Sequence, residues 1–243
     1  MISVGTAPKR FVGKLAKLQE LAIRSWFEFT DDIILFAKFV PPLEGVRVFE
    51  VKTSDKSDAP IVSELFKSLD CLGVHPVLMY TNADIVFLGG VEKAVRSVLN
   101  RTEKNFLIVG QRWDCDWEDT MTLEDIRRAP KKLHAPTGID YFIFPKGFWG
   151  KIPPFVLGRT CWDNWLLSDA LRRGAFVVDA TQCIWAVHLN HDWSHLRGGK
   201  EEAWSGPEAV FNRSLLTREE LERGRIDRTK WILTSEGEVI ERG

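Results

Sequence analysis

The feature that most constrains this chain is an alternation through about its first 110 residues: short apolar runs of strand character trade places with segments whose apolar residues recur at helical spacing. That rhythm belongs to βαβ units wound around a mainly parallel sheet. Ile2-Ser3-Val4 reads as a first strand running into the loop Gly5-Thr6-Ala7-Pro8, and Leu15, Leu18, Ala22 and Trp26 follow as one helix stripe. Ile33 to Phe36 is uninterrupted and apolar, as in a strand covered on both faces. Val46 to Val51 supplies a third strand, and Ile61, Leu65, Leu69 and Leu72 mark a second helix. Val77 to Tyr80 is then a strand that delivers Thr81-Asn82-Ala83-Asp84 at its carboxyl end, where open α/β sheets bind ligands. A helix over Glu92 to Asn100 and a strand over Phe106 to Gly110 complete the regular stretch.

From Trp117 to Gly138 the chain is charged and proline-punctuated, an excursion with a short helix rather than a linker. Further strands are expected at Tyr141 to Phe144, Phe176 to Val178 and Ile184 to His188, with a helix from about Trp162 to Arg173 between the first two. Lys230 to Leu233, the turn 235–238 and Val239-Ile240 resemble a terminal hairpin. With 243 residues, 44% of them hydrophobic, the chain buries one substantial core, so a single α/β domain over 1–243 is expected.

The charges nearly cancel, 33 basic against 34 acidic, which argues against nucleic acid as the primary partner. No secretion signal and no apolar run near the roughly 20 residues of a membrane helix is visible, so a soluble protein without a membrane span is expected. Cys71, Cys115, Cys161 and Cys183 form no CxxC pair, which fits a reducing cytoplasm.

Four constellations carry chemistry. Asn82-Ala83-Asp84 places a carboxylate at a strand end, where it either holds a hard divalent cation or is ordinary turn chemistry. Asp114-Cys115-Asp116 is its rival: a DxD pattern whose side chains leave an extended segment on one face, or else a solvated acidic loop continuing into Glu118 and Asp119. His188, His191 and His195 put three of the five histidines within eight residues, as metal ligands or as partners of a neighbouring loop. Their spacing also suits one helix face, as in some zinc hydrolases, but no HExxH motif is present. Gly158-Arg159 followed by Trp162-Asp163-Asn164-Trp165 gathers a guanidinium, a carboxylate and an amide at a helix start; Asp163 or Asn164 is there either a site residue or a helix cap. Ten tryptophans against two tyrosines is an unusual balance. Several, such as Trp162 and Trp193, adjoin carboxylates and so either line a sugar site or fill core volume.

Taken together these residues resemble the nucleotide-diphosphosugar transferase superfamily, the glycosyltransferases of GT-A fold, and within it a group of small members. The resemblance rests on Thr6 to Lys9, Ala22 to Trp26, Tyr80 to Asp84, Gly138 to Phe142, Gly158-Arg159 with Trp162 to Trp165, His188 to His195, and Gly206-Pro207-Glu208 with Asn212, in that order along nearly nine-tenths of the chain. It implies a GT-A-like, Rossmann-like fold in which residues 1–112 bind a nucleotide-sugar, with UDP the donor base by analogy, and residues 113–243 hold the acceptor and catalytic groups. It further implies Mn²⁺ or Mg²⁺ on Asp84 with His188 or His191, and donor contacts from Thr6, Ala7, Asn82, Asp84 and Arg159. A carbohydrate or other hydroxyl acceptor would lie near Trp162, Asn164, Trp165 and Trp193, with Asp163 as the base of an inverting transfer. Asn82 stands where the two-carboxylate motif has its first Asp. The alternatives are a sugar nucleotidyltransferase, for which the loop at Thr6 is sparse, a hydrolase built on the histidines, and a silent carbohydrate-binding module.

Overall fold

The computed structural model describes residues 1–40, 43–102, 104–191 and 199–243. In chain order the elements begin with β1 (Ile2–Thr6), α1 (Gly13–Trp26), β2 (Asp32–Phe36), β3 (Val46–Phe49), α2 (Val62–Leu72), β4 (Val77–Thr81), β5 (Ile85–Phe87), α3 (Val91–Leu99) and β6 (Phe106–Val109). There follow β7 (Trp113–Cys115), α4 (Leu123–Arg128), β8 (Lys132–Leu133), β9 (Tyr141–Pro145), α5 (Trp162–Arg172), β10 (Phe176–Asp179) and β11 (Ala186–Leu189). The chain closes with short helices α6 (Gly199–Ser205), α7 (Pro207–Ser214) and α8 (Arg218–Arg223) and the hairpin β12 (Trp231–Leu233) and β13 (Val239–Glu241).

The expected α/β architecture holds: a nine-stranded sheet runs β13-β12-β10-β6-β9-β4-β1-β2-β3, flanked by helices. It is mainly parallel, with β9 antiparallel to both β4 and β6 and β13 antiparallel to β12. Successive β4 side chains point to opposite faces, so Val77 and Met79 enter one buried cluster and Leu78 and Tyr80 the other. Both faces are covered, which is why the strand reads as one apolar run. Helix α2 lies so close to β1 that a Cβ at Gly5 would sit 2.7 Å from Leu69.

Two features place the site. Strand β9 enters the middle of the large sheet in reverse, pairing Thr81 with Tyr141, so the residue before it, Asp140, arrives at the edge where β4 ends. Asn82 N–H donates to the Asp140 carbonyl at 3.0 Å. A second sheet, β5-β11-β7-β8, stands beside this edge. Its register sets His188 between Ile85 on one side and Asp114 on the other.

Boundaries shift by a few residues from expectation. The third strand stops at Phe49, and β11 begins at Ala186 rather than at Ile184. His188 is a strand residue and His191 follows the strand, so the one-helix arrangement of the histidines does not form over 188–191. Among the described residues no helix is long and apolar enough to cross a membrane.

Candidate active site

Strand ends build the site. Beyond β4 the chain turns through Asn82 and Ala83 to the buried Asp84, and Leu189 N–H donates to the Asp84 carbonyl at 3.3 Å, tying the β11 end to this turn. Asp84 Oδ2 lies 3.2 Å from His191 Nε2 and 3.8 Å from His188 Nε2. These three residues offer ligand atoms all within 4.8 Å of one another, the one such grouping of metal-type ligands among the described residues. Lys9, from the loop after β1, places its ammonium 2.8 Å from Asp84 Oδ2 and 2.7 Å from His191 Nε2.

The electrostatics suit a cation. Burial works against ionising Asp84, but the Lys9 ammonium paired with it at 2.8 Å outweighs this and holds the carboxyl well below the usual range. Burial also lowers His188, with Asp84 opposing and Arg112 reinforcing, so its imidazole stays neutral with a lone pair to offer. Asp84 Oδ1 is buried without a hydrogen-bond partner, which leaves acceptor capacity for an ion. One carboxylate and two imidazoles with a free carboxylate oxygen fit a divalent transition ion such as manganese, whereas magnesium, which takes oxygen ligands, would be held by Asp84 and water alone.

Around this trio runs a second network. Asn82 Nδ2 donates to Asp140 Oδ1 at 2.6 Å, and Arg112 bridges Asp140 Oδ2 at 2.8 Å and Asp114 Oδ1 at 2.9 Å. His134 Nδ1 meets Asp114 Oδ2 at 2.7 Å. Both Asp114 oxygens are therefore engaged with Arg112 and His134, while Asp116 faces solvent and accepts from Asn190 Nδ2 at 2.8 Å. The two carboxylates of the Asp114-Cys115-Asp116 pattern do not converge on a common point with Asp84; Asp114 instead stands behind His188, 3.6 Å from its Nδ1.

Asp163 occupies the first turn of α5, entered through Cys161 at a φ of 79°. Burial dominates its titration and Asp140 adds repulsion; backbone N–H groups of Asn164 and Ile139 oppose this only in part, and the carboxyl rises to about 7. The buried Tyr80 hydroxyl is pushed far up by burial and by the charges of Asp84, Asp140 and Asp163, so it feels Asp163 and the trio's carboxylate alike. The same hydroxyl donates to Asn82 Oδ1 at 3.1 Å.

The other expected site residues divide. Thr6 Oγ1, at the end of β1, is buried without a partner, and Ala7 next to it is half-buried. The Arg159 guanidinium is buried against Glu208 at 2.8 Å, with Glu202 at 3.8 Å, beside a cavity that Lys56 and Ser57 also line. Trp162 and Trp165, at 5% and 9% exposure, belong to the core; Trp162 stands edge-on to Tyr80 and Trp165 packs on Phe155. Their rings are already covered by protein and offer no face to a sugar. Asn164 is likewise spent on the Gly224 and Thr137 carbonyls, at 2.8 and 3.4 Å. Trp193, Asp192 and His195 lie outside the described residues. Lys9 and Asp140 fall inside stretches that carry the resemblance but receive no role from it, and Arg112 and His134 are given none by the sequence.

No family model matches the chain, and no curated protein matches it. Among solved structures it is similar to a protein assigned as a glucose-1-phosphate thymidylyltransferase of Bacillus anthracis, at 10% identity and a TM-score of 0.44 over 91% of this chain and 99% of that one. It is similar also to the bifunctional IspDF of Campylobacter jejuni, at 15% identity and TM-score 0.38 over 81% of this chain and 54% of that one. A third is HddC of Yersinia pseudotuberculosis, at 13% and 0.36 over 60% and 77%.

Proposed function

We propose that this chain is a divalent-metal-dependent glycosyltransferase that moves a sugar from a nucleoside-diphosphate sugar, UDP by analogy, to the hydroxyl of an uncharged acceptor with inversion. The observation that carries the reading is Asp163: a carboxyl poised at about 7 whose charge, like that of Asp84 in the cation-type trio, is felt at Tyr80. An alcohol is a poor nucleophile at neutral pH, and a base matched to the operating pH is what its attack requires. The acceptor oxygen bonds to the anomeric carbon, its proton passes to Asp163, and the bond from that carbon to the diphosphate oxygen breaks with its electron pair leaving on the diphosphate. Asp84, His188 and His191 would hold Mn²⁺ or Mg²⁺, whose chemistry there is to neutralise the leaving diphosphate. Thr6, Ala7 and Asn82 line the donor side, so residues 1–112 bring donor contacts and 113–243 the base. Four unpaired cysteines, three of them buried, suit a reducing compartment such as the cytoplasm.

One observation favours a second reading, a sugar nucleotidyltransferase, the reaction that a name such as glucose-1-phosphate thymidylyltransferase describes. Lys9 sets a cation beside Asp84 in the loop after β1, where it could meet a triphosphate. Against it stands Asp163, poised as a base that a sugar phosphate, a nucleophile already ionised, does not need. Incubation with manganese separates the readings. Acceptor-dependent release of nucleoside diphosphate from one nucleotide-sugar supports the transferase, and pyrophosphate released from a nucleoside triphosphate plus a sugar 1-phosphate supports the alternative. Retained anomeric configuration in the product would remove the need for Asp163 as base.

A further inference from the structure

The ammonium of Lys9 occupies the place in this site where positive charge is wanted. It touches Asp84 Oδ2 and His191 Nε2 at once, and its side chain remains partly open to solvent at 30% exposure. An ammonium has only hydrogens to give, so the 2.7 Å contact requires Nε2 to accept through its ring lone pair. An imidazole nitrogen has one such pair. The pair that accepts from Lys9 is therefore the pair a metal ion would need, and His191 cannot serve both.

Geometry and charge sharpen the conflict. The two atoms that Lys9 bridges are 3.2 Å apart. An ion bonded to both at the ordinary ~2.1 Å sits within about 4 Å of that ammonium wherever around the pair it lies. A divalent cation so near an ammonium is strongly repelled. One of the two must leave, and Lys9, on a long flexible stem from a loop, is the one able to.

We propose that Lys9 is a resident counter-cation: it neutralises Asp84 and caps His191 until a divalent ion displaces it, so the site discriminates against a lone ion. This rests on the metal-dependent reading given above. Displacement leaves the ammonium at the mouth of the same pocket, available to an anionic oxygen of the incoming substrate, so ion and substrate favour one another's binding.

The test uses the full chain and manganese alone, with free Mn²⁺ counted by electron paramagnetic resonance. Lys9→Met keeps the aliphatic stem and removes the competitor, so it should tighten manganese binding at least about ten-fold over the unsubstituted protein, the fold-change expected when a charge in direct contact is removed. Lys9→Gln should act in the same direction. Both variants leave Asp84 uncompensated, so their thermal unfolding midpoints should fall without metal and recover with manganese by more than the unsubstituted protein gains. Equal or weaker manganese binding in both variants, while the unsubstituted protein binds the ion, overturns the role of Lys9 and leaves the metal reading standing. Variants that stay unfolded at saturating manganese overturn it too, since the ion then does not replace the ammonium. No manganese bound by any form removes the metal reading and this inference with it.

Discussion

A carboxyl held at about 7 is an energetic burden on the fold, and its size follows from the structure. Asp163 shifts from an ordinary 3.8 to about 7, roughly 3 pH units. At 1.36 kcal/mol per unit the folded chain gives up as much as about 4 kcal/mol once the group is ionised in both states. The sign is fixed by proton count: between about pH 4 and 7 the folded state holds a proton that the unfolded chain has released, so stability falls as pH rises through that window and none of this loss exists below it. Asp163→Asn removes the charge, and its amide oxygen still accepts from the backbone N–H groups of Asn164 and Ile139. Some helix-dipole attraction, about 0.3–1 kcal/mol, goes with the charge. For a half-buried group a net gain of about 2–4 kcal/mol at pH 8 remains, worth about 5–12 °C in unfolding midpoint for a chain of this size. Calorimetry from pH 4 to 8 should show the variant's advantage near zero at the acid end and growing steadily. Turnover should drop by about 10²-fold or more at every pH with donor affinity kept. A variant equally stable to the parent at pH 8 would falsify the claim that the pocket holds this carboxyl up.

Four further outcomes follow from the same contacts. Asp140→Asn removes the charge that repels ionisation of Asp163, so the acid limb of the activity profile should move to lower pH; an unmoved limb separates the two groups. Asp84→Asn should abolish manganese binding by magnetic resonance and lower donor turnover by about 10²-fold or more, whereas Asp116→Asn, at a solvated position, should leave both intact. Trp162→Ala should lower stability by about 3–5 kcal/mol in denaturant titration, the cost of emptying a core position; a raised acceptor KM at full stability would restore the ring to the acceptor site. Glu208→Ala removes the nearer partner of the buried Arg159, leaving Glu202 at 3.8 Å, and should lower stability by up to about 3–5 kcal/mol, read by the same titration.

How far the sequence leads depends on what each residue answers to. The apolar strands at Ile33, Val77, Phe106 and Tyr141 are plain because both faces of the large sheet are covered, and the stripes of α1, α2 and α3 are plain because one face is. The small sheet is obscure: β5, β7 and β8 are two or three residues long, too short for a period. Helices α4 and α8 carry a further signal, Thr122 with Asp125 and Thr217 with Glu220, which form capping boxes. The direction of β9 has no signature in its residues, and with it goes the arrival of Asp140 beside Asn82. Trp162 and Trp165 draw the eye for their polar neighbours, but with Leu166 and Ala170 they form a stripe at helical spacing, and that periodicity places them in the core. Asp84 stands out because it follows the carboxyl end of an apolar strand, and Asp163 because it opens a helix just after Gly158-Arg159. The partners that set their charge, Lys9 and Asp140, are reached only through tertiary contacts.

That dependence on distant contacts bears on how the protein comes into being. Lys9 and His191 are 182 positions apart and Asp84 and His191 are 107 apart, yet they meet within one hydrogen-bond length. Contacts across such spans must repay the entropy of closing long loops, so they form late in folding and slow its final step. During synthesis the β1 and β4 ends leave the ribosome long before the chain that bears the histidines. A growing chain therefore presents Asp84 with Lys9 at most, and the three-ligand set exists only after residue 191 has emerged and β11 has paired with β5.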